Sequence, residues 1–108
     1  MTRKTRSMLS LSQRAGKLAS GERGCEMALQ NGEAALIIIA CDASDNTKKK
    51  FIQKAFHYEV KCLELGTKQE IGSAIGKDGA AVAAFKDLNM AEQVLLQETK
   101  TEVGGCQK

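Results

Sequence analysis

The chain is 108 residues long, 43% hydrophobic and 27% charged, with a net charge of +3. That length holds one core and one domain, and that composition excludes general disorder. No apolar run approaches the ~20 residues of a membrane span, and basic Arg3, Lys4 and Arg6 precede no long apolar region, so the cytoplasm is the expected compartment.

Residues 5–15 carry Met8, Leu11 and Ala15 at helical spacing, which predicts a first helix with that stripe inward, stopped by Gly16. Residues 17–19 read as a short extended piece. Ser20 is positioned to cap a second helix whose apolar stripe is Cys25, Ala28 and Leu29 and whose end is Asn31-Gly32. Gly24 inside that helix costs up to ~1 kcal/mol relative to alanine and points to packing or a close approach. Residues 34–40, with Ile37, Ile38 and Ile39 in succession, have no polar alternation and hence no solvent face. β-branching and short length make this a strand covered on both sides.

That strand runs into Asp42, Ser44, Asp45 and Asn46, residues that hold turns and cap helices through their own side chains. A lysine-rich helix follows over 47–58, with Phe51, Ile52, Ala55 and Phe56 expected inward. Residues 60–65 read as a second strand. Thr67 and Glu70 have capping-box spacing for a short helix carrying Ile71, Ala74 and Ile75, which Gly76 stops before a tight turn at Lys77-Asp78-Gly79. Residues 80–85 are another covered strand. Asn89 is the expected cap of a last helix with Ala91, Val94 and Leu95 on one face, and Glu92 the partner in a second capping box. Residues 1–98 thus form one domain and the polar stretch 99–108 a loose tail. Regular alternation of strand and helix with short loops predicts an α/β fold, a three-layer α/β/α sandwich with a partly parallel sheet.

Several catalytic or ligand motifs fail on spacing. In Gly72-Ser-Ala-Ile-Gly76-Lys77 only three residues separate the glycines, and Asp78 rather than Ser or Thr follows the lysine, so no phosphate-binding P-loop is present. Asp42 and Asp45 have no third ligand type close by and read as turn and cap residues. His57 has no serine or cysteine partner in sequence, and the scarcity of aromatics argues against a base-stacking platform. Cys25, Cys41, Cys62 and Cys106 form no close pair, so no zinc site and four free thiols are expected. No cofactor and no enzymatic activity follow from these residues.

Charge distribution is more telling. Arg3, Lys4, Arg6, Arg14, Lys17 and Arg23 face one acid, Glu22, in the first 23 residues, and Lys48, Lys49, Lys50 and Lys54 form a second cluster. Such faces attract polyanions. In an α/β/α sandwich the helix start at Ser20-Gly21, the loop 42–46 and the turn 76–80 should lie at one end, where free helix N–H groups and nearby cations favour phosphate.

Three segments in order, Leu11-Ser-Gln-Arg-Ala-Gly-Lys-Leu-Ala-Ser-Gly21, Gln30-Asn-Gly-Glu-Ala-Ala-Leu-Ile-Ile-Ile-Ala-Cys-Asp-Ala-Ser-Asp-Asn-Thr-Lys-Lys-Lys50 and Leu65-Gly-Thr-Lys-Gln-Glu-Ile-Gly-Ser-Ala-Ile-Gly-Lys77, resemble the kink-turn RNA-binding ribosomal-protein superfamily and, within it, the small bacterial YlxQ-type relatives. The resemblance implies a mixed four-stranded sheet and RNA as partner, in association with the ribosome or translation factors and away from membranes. It implies contacts from Gly21, Glu22, Arg23, Gly24 and Met27 at the second helix, from Asp42, Ala43, Ser44 and Lys48 after the central strand, and from Gly76, Lys77, Asp78 and Gly79 in the turn. Kink-turn binders of that family carry Gly-x-Asn-Glu-x-x-Lys at the second helix. Aligned on Ala28-Leu29, this chain keeps Gly21 but has Arg23 for the asparagine, Gly24 for the glutamate and Met27 for the lysine. Arginine grips a phosphate or a guanine edge but cannot copy an amide that donates and accepts together. The competing expectation is a protein-interaction module of the same fold.

Overall fold

The computed structural model describes residues 2–101. Its elements, in chain order, are α1 (Arg3–Arg14), β1 (Leu18–Ser20), α2 (Gly21–Gln30), β2 (Leu36–Ile39), α3 (Asp45–His57), β3 (Lys61–Glu64), α4 (Lys68–Ile75), β4 (Val82–Phe85) and α5 (Leu88–Thr101). All nine stand in the expected order. The strands form one mixed sheet in the order β1-β4-β2-β3. β2 and β3 are parallel, and β4 runs antiparallel to both its neighbours, with Ile38 opposite Ala83 and Ala19 opposite Ala84. Helices α2 and α3 cover one face and α1, α4 and α5 the other, which makes the three layers.

The core lies on the two inner strands. Leu36, Ile37, Ile38 and Ile39 of β2 and Val82, Ala83, Ala84 and Phe85 of β4 are all fully buried. Strands covered on both faces can be apolar throughout, and these two are. The alanines of β4 leave room for the larger residues around them, among them Leu29, Phe51, Ile71 and Val94. β3, at the margin, is only partly covered. No described helix is long and apolar enough to cross a membrane.

Five details differ from the expectation, the first being that Ser20 precedes α2 without a side-chain capping bond. The inward face of α1 is Thr5, Leu9 and Ser12, whereas Leu11 is half exposed. Two small hydroxyls can be buried there because each has a partner: Thr5 Oγ1 donates to Glu98 Oε2 at 2.5 Å and Ser12 Oγ to the Met90 sulfur at 2.7 Å. In α3, Phe51 and Ala55 are buried with Thr47, but Ile52 is exposed and Phe56 is 85% exposed. The helix meets the sheet along a stripe too narrow to include them. The last helix is capped by Asp87, whose Oδ1 accepts from the Asn89 and Met90 N–H groups, so Asn89 is already helical and Glu92 lies too far along for a capping box. Those two N–H groups also hold the Asp87 carboxyl below its ordinary pKa. Cys25 and Cys62 are free thiols, pushed up to about 12 and about 11 chiefly by burial, but Cys41 is disulfide-bonded. Cys106 and most of the tail 99–108 lie outside the described residues.

Candidate nucleic-acid interface

β1, β2 and β3 run in one direction and each is followed by a helix, so α2, α3 and α4 all begin at the same end of the sheet. β4 enters the sheet from that end, which brings the 76–81 turn there as well. The topology therefore gathers the Gly21 helix start, the 42–46 loop and the 76–80 turn, as the sequence suggested.

Hydrogen bonds tie these segments together. The Cys41 N–H donates to the Gly66 carbonyl at 2.7 Å and the Lys68 N–H to Asp42 Oδ1 at 2.8 Å, fastening the loop after β2 to the start of α4. The Ala80 N–H donates to the Lys68 carbonyl at 3.2 Å, and a shallow groove is lined by Asp42, Lys68, Gln69, Asp78, Gly79 and Ala80. Across α2 and α3, Thr47 Oγ1 donates to Glu22 Oε2 at 2.9 Å while Ser44 Oγ donates to Thr47 Oγ1 at 3.0 Å. Lys50 Nζ lies 3.3 Å from Glu22 Oε1 and 2.7 Å from Glu26 Oε2. The Lys50 hydrogen bond is the main reason that the Glu26 carboxyl is held below its ordinary pKa, and Glu26 in turn holds the Lys50 ammonium above its own.

The helix ends differ in how they are satisfied. Ser44 caps α3 through its side chain, and Thr67 and Glu70 complete a capping box on α4. Ser20 makes no side-chain cap on α2, and Gly21 follows with φ +80°. Donors at the start of α2 thus point outward without a side-chain acceptor from Ser20.

The individual residues divide into groups. Arg23 and Met27 share the outward face of α2 at i, i+4 spacing, and both are exposed. Gly24 faces β1: a Cβ there would sit 3.8 Å from that of Ala19, an ordinary contact. Ala43 is buried, so its side chain belongs to the core. Lys48 is paired at 3.7 Å with Glu64 on β3 and is turned toward the sheet margin. Gly76 closes α4 in the left-handed conformation with φ +78°, and Lys77, Asp78 and Gly79 are exposed.

Sequence reasoning missed two features. The first is Gly72, where an added Cβ would lie 2.6 Å from Gly79 Cα and 2.9 Å from the Lys77 carbonyl oxygen. Only glycine lets the turn fold back onto α4. Its failed phosphate-loop spacing concealed a packing role. The second is Lys68, whose signal was legible: a cation directly after a helix cap opposes the helix dipole and is placed there at a cost. Among the described residues no cluster of His, Cys, Asp and Glu could hold a metal ion.

The described residues thus form a mixed four-stranded α/β/α sandwich with a rim of helix starts at one end of the sheet. The chain belongs to the Ribosomal protein L7Ae/L30e/S12e/Gadd45 family, whose model matches residues 3–95. A protein of Enterococcus faecium named RNA-binding protein YlxQ is 43% identical over 74 residues, 68% of this chain and 72% of that protein. The protein of the same name from Bacillus subtilis (strain 168) is 33% identical over 88 residues, covering 82% of this chain and 88% of its own. Among solved structures, a protein of unknown function from Bacillus halodurans C superimposes with a TM-score of 0.83 at 35% identity, over 90% of this chain and 100% of that one. The Giardia lamblia 15.5kD RNA binding protein shares the fold, with a TM-score of 0.76 at 18% identity over 90% and 86% of the two chains.

Proposed function

We propose that this protein is a non-enzymatic RNA-binding protein, ribosomal or ribosome-associated in the cytoplasm, that takes structured, kink-turn-like RNA on the rim at the helix-start end of its sheet. The observation that carries this reading is the start of α2. It lacks a side-chain cap from Ser20, begins on Gly21 with no bulk over it, and presents Arg23 outward next to Glu22, which Thr47 ties to the start of α3. The names of the YlxQ relatives supply the class of ligand.

On this reading Arg23 and Lys77 contact phosphates, while Gly21, Gly76 and Gly79 let the backbone come close. Glu22 does not repel the RNA outright, because Thr47 and Lys50 hold its carboxylate. Asp42, Ala43 and Ser44 shape the loop, Asp78 and Gly79 complete the far lip of the groove, and Gly24 and Met27 form the part where the family's polar pair is replaced. Lys48, drawn to Glu64, adds charge at the margin. Titrating the protein with ribosomal RNA fragments and a simple kink-turn, across salt concentrations, tests the reading. A salt-dependent affinity for structured RNA is expected, and none for any fragment would overturn it.

One observation favours the protein-interaction module: Phe56 is 85% exposed and Ile52, one turn before it, is exposed too, giving α3 an apolar spot outside the rim. Wild-type protein that ignores RNA but is held by a ribosomal or translation partner through Phe56 would establish that reading.

A further inference from the structure

Helix α3 begins in the rim and carries cations far beyond it. Asn46, Lys49, Lys50, Lys54 and His57 lie along one shallow trough on its outer flank. From Asn46 to His57 is about 16 Å at a rise of 1.5 Å per residue. On this flank Lys50 is fixed by Glu22 and Glu26 of α2, and Glu26 feels Lys54 and Arg23 as well, so the cations of the two helices meet around it. Four cations, Arg23, Lys49, Lys50 and Lys54, thus stand against two carboxylates, Glu22 and Glu26. The one acid of α3 itself is Asp45, its first residue, one turn before Lys49; the helix carries none beyond it. The track is therefore net positive, continuous with Arg23 at one end, and rigid because it is built on a helix buttressed by ion pairs.

We propose that this flank of α3 is a second RNA contact, which takes the phosphate backbone of a duplex stem leaving the rim. The proposal rests on the rim reading above and adds to it a length of stem. A duplex presents phosphates at regular intervals along a straight edge, and a row of lysines on one helix flank matches that edge without reading sequence. An acidic protein surface would satisfy the same charges, but it has no reason to start at Arg23 and the uncapped α2 start.

The test uses one kink-turn RNA in three forms: both stems short, and each stem in turn lengthened by half a helical turn. Binding of the short form measures the rim alone. With one of the long forms, affinity should rise about tenfold, and the log–log salt slope should steepen by about two ions. The double variant Lys49→Ala/Lys54→Ala should lose that gain while binding the short form as wild type does. Circular dichroism and urea titration check that the variant is folded. If the short form binds but neither long form binds tighter, the track is not an RNA contact, its charge is left to an acidic protein partner, and the inference fails while the rim reading stands. If a gain appears but survives the double variant, the stem runs elsewhere and the inference also fails. If no form binds, both readings fall together.

Discussion

At the end of the sheet where β4 leaves, Lys17 lies 3.5 Å from Asp87 and Lys86 lies 3.6 Å from Glu33. At the opposite end, where β4 enters, Arg23, Lys68 and Lys77 make no ion pair among the described residues. Both ends have acids to hand, since Asp42, Asp78 and Glu22 all lie at the second. There the acids are directed to other tasks: Asp42 caps α4 and Glu22 receives Thr47 and Lys50. At the first end Lys17 and Lys86 are both paired; at the second Lys48 and Lys50 are paired while Arg23, Lys68 and Lys77 are not, among the described residues. The charged ends of Arg23 and Lys68 thus stay clear of Asp42 and Glu22, whose carboxylates are already engaged.

The largest effect expected would remove both ends at once. Ile38→Ala opens a cavity in a fully buried inner strand, and should cost ~2–5 kcal/mol in urea unfolding with no preference for either end. Gly72→Ala should separate them. Its new Cβ meets the backbone of the 77–79 turn, so ~1–3 kcal/mol of stability should go. Amide exchange should quicken around 76–81 and stay unchanged around Lys17 and Lys86. A uniform change would mean that the turn is not what Gly72 protects. Arg23→Ala should flatten the salt slope of RNA binding by about one ion without altering stability. Lys48→Ala should do less, because Lys48 already faces Glu64. Met27→Lys, which places a cation one turn from Arg23, should tighten binding to a standard kink-turn, and no gain would show that the rim lacks more than that charge. Smallest of all is the effect at the first end. Lys86→Ala breaks a surface pair worth under ~1 kcal/mol and should leave RNA affinity as it was; a drop in affinity there would dissolve the contrast between the ends.

The sequence made the layers legible because their signals are local. An unbroken Ile37-Ile38-Ile39 run reads as a strand through its β-branching and short length, and Thr67 with Glu70 fixes a helix start to the residue. It misled where burial depends on a partner far along the chain. Thr5 is buried at α1 only because Glu98, 93 residues on, accepts from its hydroxyl, and periodicity favours Leu11 because it cannot see that partner. Phe56 fails the same way in reverse, since its helical spacing matches the buried face and yet the described structure leaves it 85% exposed. At the rim, the three segments were found from topology, but the cross-links were not. Glu22 to Thr47 spans 25 positions, and nothing local announces it.

The position of β4 also bears on how the molecule is made. It is the last strand in the sequence, yet it sits between β1 and β2, joining the edge formed first to the strand formed next. As the chain is synthesised, β1 waits without a neighbour until residues 82–85 arrive, and β2 has only β3 beside it. Pairings over such separations slow folding and leave open strand edges in the interval. A nascent chain stopped before residue 76 would hold two of the three rim segments and three of the four strands, of which only β2 and β3 could pair as they do in the finished sheet. The 76–80 turn, the third rim segment, is thus made last of the three, directly before the strand that closes the sheet.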